Sequence, residues 1–183
     1  MAPTASALPV VPFSGVIPAG TYAWTSFEPH LTLAVPAGWQ VGHRHRDYFD
    51  LFPATATSGG GPGVGFGRFR AVFGPNGAVS MTTAAATLDA LGANPSIRSS
   101  NRRDAELLGL SGLSVEMRVD AEQTPVFDGE GGAFKMDPGW VAQSWFLDVE
   151  GGVLLVAVFG LDSDAAADLA TSQAILAGVS LAP

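Results

Sequence analysis

The chain has no cysteine in its 183 residues, which excludes disulfides, thiolate metal sites, cysteine nucleophiles and iron–sulfur clusters together. It has one lysine, Lys135, and eight arginines against 17 acidic residues, for a net charge of −8. An acidic chain without a basic stripe repels phosphate backbones, so no nucleic-acid partner is expected. Anionic membrane surfaces are disfavoured on the same electrostatic ground. Long apolar runs are missing too: the longest, Val153 to Leu161, is too short to span a bilayer. Met1 to Pro9 carries neither a basic n-region nor an apolar h-region. Any export signal or anchor is therefore expected outside this chain.

What is present suits one folded domain of ordinary size. Hydrophobic residues make up 47% and charged residues 14%, enough to bury a core and too little charge for a disordered tail. The 23 Gly and 13 Pro imply many turns. Residues 1–19, rich in Ala, Pro and Ser, read as an extended lead-in or tether, and 20–183 as a single domain. Leu31, Leu33 and Val35 alternate with Thr32 and Ala34 as in a strand, ended by Pro36-Ala37-Gly38. Trp39 to His45, Tyr48 to Phe52 and Val64 to Phe73 read as further extended pieces. Met81 to Leu91 is a helix expectation, with Thr82 or Thr83 as cap and Gly92 or Asn94 as stop. Ile97 to Leu108 reads as a polar edge strand, followed by a turn at Gly109-Leu110-Ser111-Gly112. Leu113, Val115, Met117 and Val119 then alternate with Ser114, Glu116, Arg118 and Asp120.

Residues 121–138 read as a long acidic loop. The strongest local signal is a hairpin, Trp140 to Glu150 and Val153 to Leu161 about a Gly151-Gly152 turn. Its second arm is apolar on both faces and is expected to be central and covered on both sides. Asp162 or Ser163 caps a second helix through about Ala177, stopped by Gly178. The order of elements predicts an α+β domain, an antiparallel β-sheet flanked by two helices.

The segment Pro18-Ala-Gly-Thr-Tyr22, Phe27, Pro29, Leu31-Thr32 and Val35-Pro-Ala-Gly-Trp39 resembles a pattern found in uncharacterised domains of actinobacterial and related cell-envelope proteins. Val72-Phe73-x-Pro75, Gly109-Leu-Ser-Gly112 and Gly151-Gly152 fit the same pattern, which runs over most of residues 18–182. The resemblance implies a PsbP/Mog-like α/β sandwich, an extracytoplasmic location (secreted or envelope-attached) and an envelope protein or small molecule as partner. It transfers no catalytic motif. In the pattern itself, Pro36-Ala-Gly-Trp39 is a turn that lowers Trp39 onto the sheet as a core residue.

Several clusters could carry chemistry. His43 and His45, at i and i+2 on a strand, point to one face and are weak metal-ligand candidates, with His30, Asp47 or Asp50 as a third ligand. Arg44 and Arg46 beside them would repel a cation. The tetrad His43-Arg44-His45-Arg46, joined by Arg68 and Arg70 if their strands pair, reads instead as an anion-binding patch, against the alternative of neutralising nearby Asp47 and Asp50. Gly59-Gly-Gly-Pro-Gly-Val-Gly-Phe-Gly67 is neither a phosphate loop nor a dinucleotide fingerprint, since Pro62 interrupts it and a strand follows; it reads as a flexible connection. Ser111 is a turn residue in a near-miss of the nucleophile elbow, with Leu113 where the second Gly should stand. The acidic residues Asp120, Glu122, Asp128, Glu130 and Asp137 match no calcium-loop spacing. Aromatic residues exceed the needs of one small core, and some could line a pocket.

No cofactor and no catalytic residue is expected. The leading expectation is a non-enzymatic extracytoplasmic accessory or binding module. The alternatives are a carrier of an apolar or anionic small molecule, and a metal-dependent enzyme using His43 and His45.

Overall fold

The computed structural model describes residues 8–12, 14–56, 61–119, 122–161 and 165–182. In chain order its first strands are β1 (Gly15–Ile17), β2 (Gly20–Trp24), β3 (Leu31–Val35), β4 (Trp39–Arg44), β5 (Tyr48–Pro53), β6 (Gly63–Gly67), β7 (Ala71–Gly74) and β8 (Gly77–Ser80). Helix α1 (Ala84–Gly92) follows, then β9 (Ile97–Leu107), β10 (Leu110–Val119), β11 (Thr124–Gly129), β12 (Gly132–Met136), β13 (Trp140–Val149) and β14 (Gly152–Leu161). Helix α2 (Ala165–Leu176) and β15 (Val179–Leu181) close the order. The expected caps of α2, Asp162 and Ser163, lie outside the described residues.

These strands form an eight-stranded sheet in the order β1-β4-β5-β6-β14-β13-β10-β9, a four-stranded sheet β12-β11-β7-β8, and a three-stranded sheet β15-β3-β2. The named strand pairs are all antiparallel. The large sheet is covered on both faces. Along β14, Leu154, Val156 and Val158 enter a core shared with β2, β3 and Ile175 and Leu176 of α2. Val153, Leu155 and Phe159 enter a second core with Val72, Val126 and Phe127 of the four-stranded sheet and Leu88 and Leu91 of α1. Two covered faces are the physical reason β14 is apolar throughout, as its sequence foretold.

The α+β expectation, and with it the PsbP/Mog-like sandwich, is overturned. Strands hold 57% of the chain and helices 12%, which makes a β-sandwich. Both expected helices form, but they are short additions. The layer that helices supply in an α+β fold is supplied here largely by two further sheets. The piece expected over Val64 to Phe73 is split between β6 and β7, which lie in different sheets; β8, which meets β7 at a two-residue turn, and the β11–β12 hairpin, which replaces the expected acidic loop, went unforeseen. Part of the expected lead-in is also built into the fold. β1 pairs with β4, the Ala23 amide donates to the Pro9 carbonyl at 2.8 Å, and Val11 is buried.

Two hairpin turns sit one or more residues from their expected places. The β9–β10 turn is Leu108-Gly109, both at positive φ (58° and 75°), as a two-residue antiparallel turn that follows strand twist requires. Gly112 is thereby placed inside β10, opposite Leu147. A Cβ there would overlap the Phe146 carbonyl oxygen and stand 2.8 Å from Leu147 Cα. Those are backbone atoms of a central strand and cannot yield cheaply. Gly112→Ala is expected to cost about 2–3 kcal/mol in urea unfolding; an unchanged midpoint would remove the close approach from the account. The β13–β14 turn is Glu150-Gly151, with Val149 pairing Gly152.

Candidate functional site

The site begins with a strand defect. In the β4–β5 ladder Val41 pairs Leu51, but Arg44 pairs Phe49, so β4 carries one extra residue at Gly42-His43. Before this bulge, odd-numbered Trp39 and Val41 face the core shared with β2 and β3. Strict alternation would send His43 there too. The extra residue reverses the parity, so His43 faces the opposite side and Arg44 lies over the Trp24 ring at 5.0 Å.

The bulge is held by Asp50 of β5, whose side chain is 2% exposed. One carboxylate oxygen accepts the His43 amide at 2.5 Å; the other accepts His43 Nδ1 and the Tyr48 hydroxyl, each at 2.8 Å. A buried carboxylate needs such donors. The Asp50 hydrogen bond raises the His43 pKa above its ordinary 6.5, against desolvation that lowers it. Burial, and then the Asp50 charge, raise the Tyr48 pKa well above 10, so its hydroxyl stays protonated and donates. With Nδ1 committed to Asp50, His43 has Nε2 left for anything in the space beyond.

That space is a cleft of about 710 Å³ between the β4–β5 hairpin and the β11–β12 hairpin. Tyr48, Asp50 and Phe52 of β5 line it together, because strand residues two apart share a face; Phe49 and Leu51 point into the core behind. Phe69, Phe134 and Trp140 complete an aromatic lining. Tyr48 stands 5.0 Å from Phe134 and 5.4 Å from Phe69, while Phe159 backs both Phe52 (5.3 Å) and Trp140 (5.2 Å). Lys135 lies along the cleft and makes no ion pair among the described residues. At one end the hairpins are fastened by buried Asp47, which accepts the Glu130 amide at 2.5 Å, and Gly131 leaves room for the His45 ring.

The strand Gly63-Val-Gly-Phe-Gly67 contributes by what it lacks. A Cβ on Gly63 would overlap the Phe159 ring, one on Gly65 would lie 2.9 Å from the Tyr48 hydroxyl, and one on Gly67 would lie 2.5 Å from Phe69. Three glycines on one face of β6 thus let the rings lie flat against the sheet. Gly-x-Gly-x-Gly with strand periodicity was the signal for this bare face; the run reads as a flexible connection only when its alternation is ignored. Its Gly59 and Gly60 lie outside the described residues.

Of the six residues expected to form an anion patch, four converge. His43 and His45 line the cleft; Arg44, His45 and Arg46 line an adjoining shallow notch with Ser26, Glu130 and Gly131. Arg68 and Arg70 go elsewhere. Arg68 donates to the carbonyls of Glu28 (2.7 Å) and Glu150 (3.2 Å), with its pKa lowered by desolvation, and Arg70 pairs Asp128 at 2.8 Å. The metal expectation gains no ligand set: no group of three or more His, Cys, Asp or Glu among the described residues could hold an ion. Asp128, Glu130 and Asp137 of the acidic stretch are engaged with Arg70, Arg46 and Gln123; Asp120 lies outside the described residues.

No protein-family model matches this chain, and no curated protein matches it. Among solved structures, a crystal structure from Bacteroides thetaiotaomicron is similar with a TM-score of 0.43 at 12% identity. That alignment covers 84% of this chain and 45% of the other, so this chain spans under half the length of that protein. No helix among the described residues is long and apolar enough to cross a membrane. The chemistry must therefore be read from the cleft itself. It combines aromatic faces, a histidine whose Nδ1 is committed to Asp50 and an ammonium that makes no ion pair among the described residues. Both buried carboxylates in it are already engaged by amides, an imidazole or a phenol.

Proposed function

We propose that the chain is a non-enzymatic, extracytoplasmic binding module whose ligand is a small molecule with an apolar, ring-bearing body. The observation that carries this reading is the 710 Å³ cleft lined by Phe52, Phe69, Phe134 and Trp140 with His43 set at its edge by Asp50. Its volume and its mixture of aromatic walls with a few fixed polar groups are those of small-molecule sites. The resemblance to envelope domains supports the location; fractionation of the native cell checks it, and recovery in the cytosol alone would remove that part.

The binding part is tested with N-phenyl-1-naphthylamine, an uncharged probe whose fluorescence rises in apolar pockets. One molecule is expected to bind per chain. Phe134→Ala, which removes a half-exposed wall, is expected to weaken binding roughly tenfold while leaving the unfolding midpoint nearly unchanged. No saturable binding, or equal binding by the variant, would overturn the reading.

A further inference from the structure

Besides its two histidines, the cleft is lined by the charged side chains of Asp47, Asp50, Asp137 and Lys135, and their bonding differs by sign. Each carboxylate already accepts a hydrogen bond: Asp47 from the Glu130 amide, Asp50 from His43 and Tyr48, and Asp137 from the Gln123 side-chain amide at 2.7 Å. Lys135 is the chain's single lysine, and its ammonium makes no hydrogen bond or ion pair among the described residues. An ammonium carries three donors and no acceptor. Here all of them are unspent.

The fold sets this ammonium beside the aromatic wall and away from the clasp. Gly131, against the His45 ring, marks the clasped end of the cleft, where Asp47 holds the Glu130 amide. Lys135 follows along β12, about 13 Å from Gly131 by strand rise. Half-buried Phe134 comes directly before it, and Trp140 lines the same cleft. No arginine lines the cleft. Arg70 pairs Asp128, Arg102 pairs Asp89 and Arg118 pairs Glu116, all of them outside it. A ligand lying on Phe134 and Trp140 therefore meets one permanent positive charge, that of Lys135.

Resting on the cleft reading above, we propose that the ligand is a ring-bearing carboxylic acid, its ring against Phe134 and Trp140 and its carboxylate on the Lys135 ammonium. A carboxylate takes charge-assisted hydrogen bonds from an ammonium that a neutral hydroxyl cannot match. A phosphate dianion is disfavoured, because one ammonium among three carboxylates offsets one negative charge and not two, and Lys135 offers no paired fork of donors. Aromatic faces also attract cations, but Lys135 would repel one, and the carboxylates that might receive it already have donors.

Displacement of bound N-phenyl-1-naphthylamine at low salt tests the proposal, with four competitors that share one carbon body: 4-phenylbutyrate, 4-phenylbutan-1-ol, 4-phenylbutylamine and 4-phenylbutyl phosphate. The acid is expected to bind about fivefold more tightly than the alcohol, the size that an exposed ion pair allows, and the amine and the phosphate more weakly than the acid. Lys135→Met, at an exposed position on an edge strand, is expected to bring the ratio of acid to alcohol to about one, and Lys135→Arg to keep it above one. Arg102→Gln removes an equal charge outside the cleft and is expected to leave the ratio as in wild type. Equal binding of acid and alcohol by the wild type overturns the carboxylate assignment and leaves the cleft reading standing. So does a preference for the amine or the phosphate, an advantage that survives in Lys135→Met, or an equal loss in Arg102→Gln. Displacement by none of the four also overturns it, whereas failure of the naphthylamine itself to bind overturns the cleft reading beneath it.

Discussion

Asp50→Asn is expected to destabilise the fold by about 3 kcal/mol, roughly 6–12 °C in Tm for a domain of this size. The wild-type carboxylate is buried and accepts three hydrogen bonds: the His43 amide, His43 Nδ1 and the Tyr48 hydroxyl. Asparagine keeps one carbonyl oxygen but turns an NH₂ toward groups that are themselves donors. His43 Nδ1 and the Tyr48 hydroxyl can then meet that NH₂ only as acceptors, so charge-assisted bonds to a buried carboxylate are exchanged for weaker neutral ones. The bulge that aims His43 loses its clasp in the same step.

The substitution also has a pH signature. Asp50 raises the folded-state pKa of His43 above 6.5, so the folded protein holds this proton more tightly than the unfolded chain. The resulting stabilisation is fully present below the unfolded value and fades as pH rises through the folded one. Wild type is thus expected to lose a small increment of stability between about pH 6 and pH 8 that Asp50→Asn lacks. Urea unfolding at the two pH values, with NMR titration of the His43 ring, checks both parts. A His43 pKa unmoved by the substitution would refute the coupling. The increment is small because the His43 side chain is 65% exposed, and water screens the interaction.

Phe49→Ala is expected to cost about 3–5 kcal/mol. Phe49 is fully buried, stacked on Trp24 at 4.1 Å and on Phe66 at 5.0 Å, with Phe27 at 6.4 Å. Truncation opens a cavity among three rings, Trp24 of β2, Phe66 of β6 and Phe27 of the β2–β3 connection, and the two strands cannot close on it without breaking a ladder. Because Phe49 faces away from the cleft, the folded fraction of this variant should keep its affinity for the naphthylamine probe. Phe134→Ala is the converse, losing affinity while keeping stability. Unfolding and binding measured on the same samples separate the two faces of β5; a loss of both properties in either variant would mean the faces are not independent.

Much of the frame could be read from local pattern. The two-face apolar run of β14, the alternation of β10, the β13–β14 hairpin and both helices are each encoded within about ten neighbouring residues, where periodicity and turn chemistry act directly. The absence of cysteine and the scarcity of lysine also narrowed the chemistry without any coordinates. Trp39 is in the core, as its turn implied.

Only the tertiary structure decided the rest, because it depends on partners far apart in the chain and on one residue of register. The count of strands turned on short pairings such as β11 with β7, Phe127 opposite Val72, which no local alternation announces. That made a β-sandwich of what composition and order suggested was α+β. The histidine–arginine tetrad was visible as a string, but alternation alone could not say which side chain faces which way. A single extra residue in β4, clasped by Asp50, sends the histidines to the cleft and the arginines to the notch. The aromatic floor likewise needed the bare face of β6 beneath it, and the cleft needed Asp47 to reach 83 positions along the chain to the Glu130 amide. Sequence determined which groups were available; register and long-range closure determined which of them share a site.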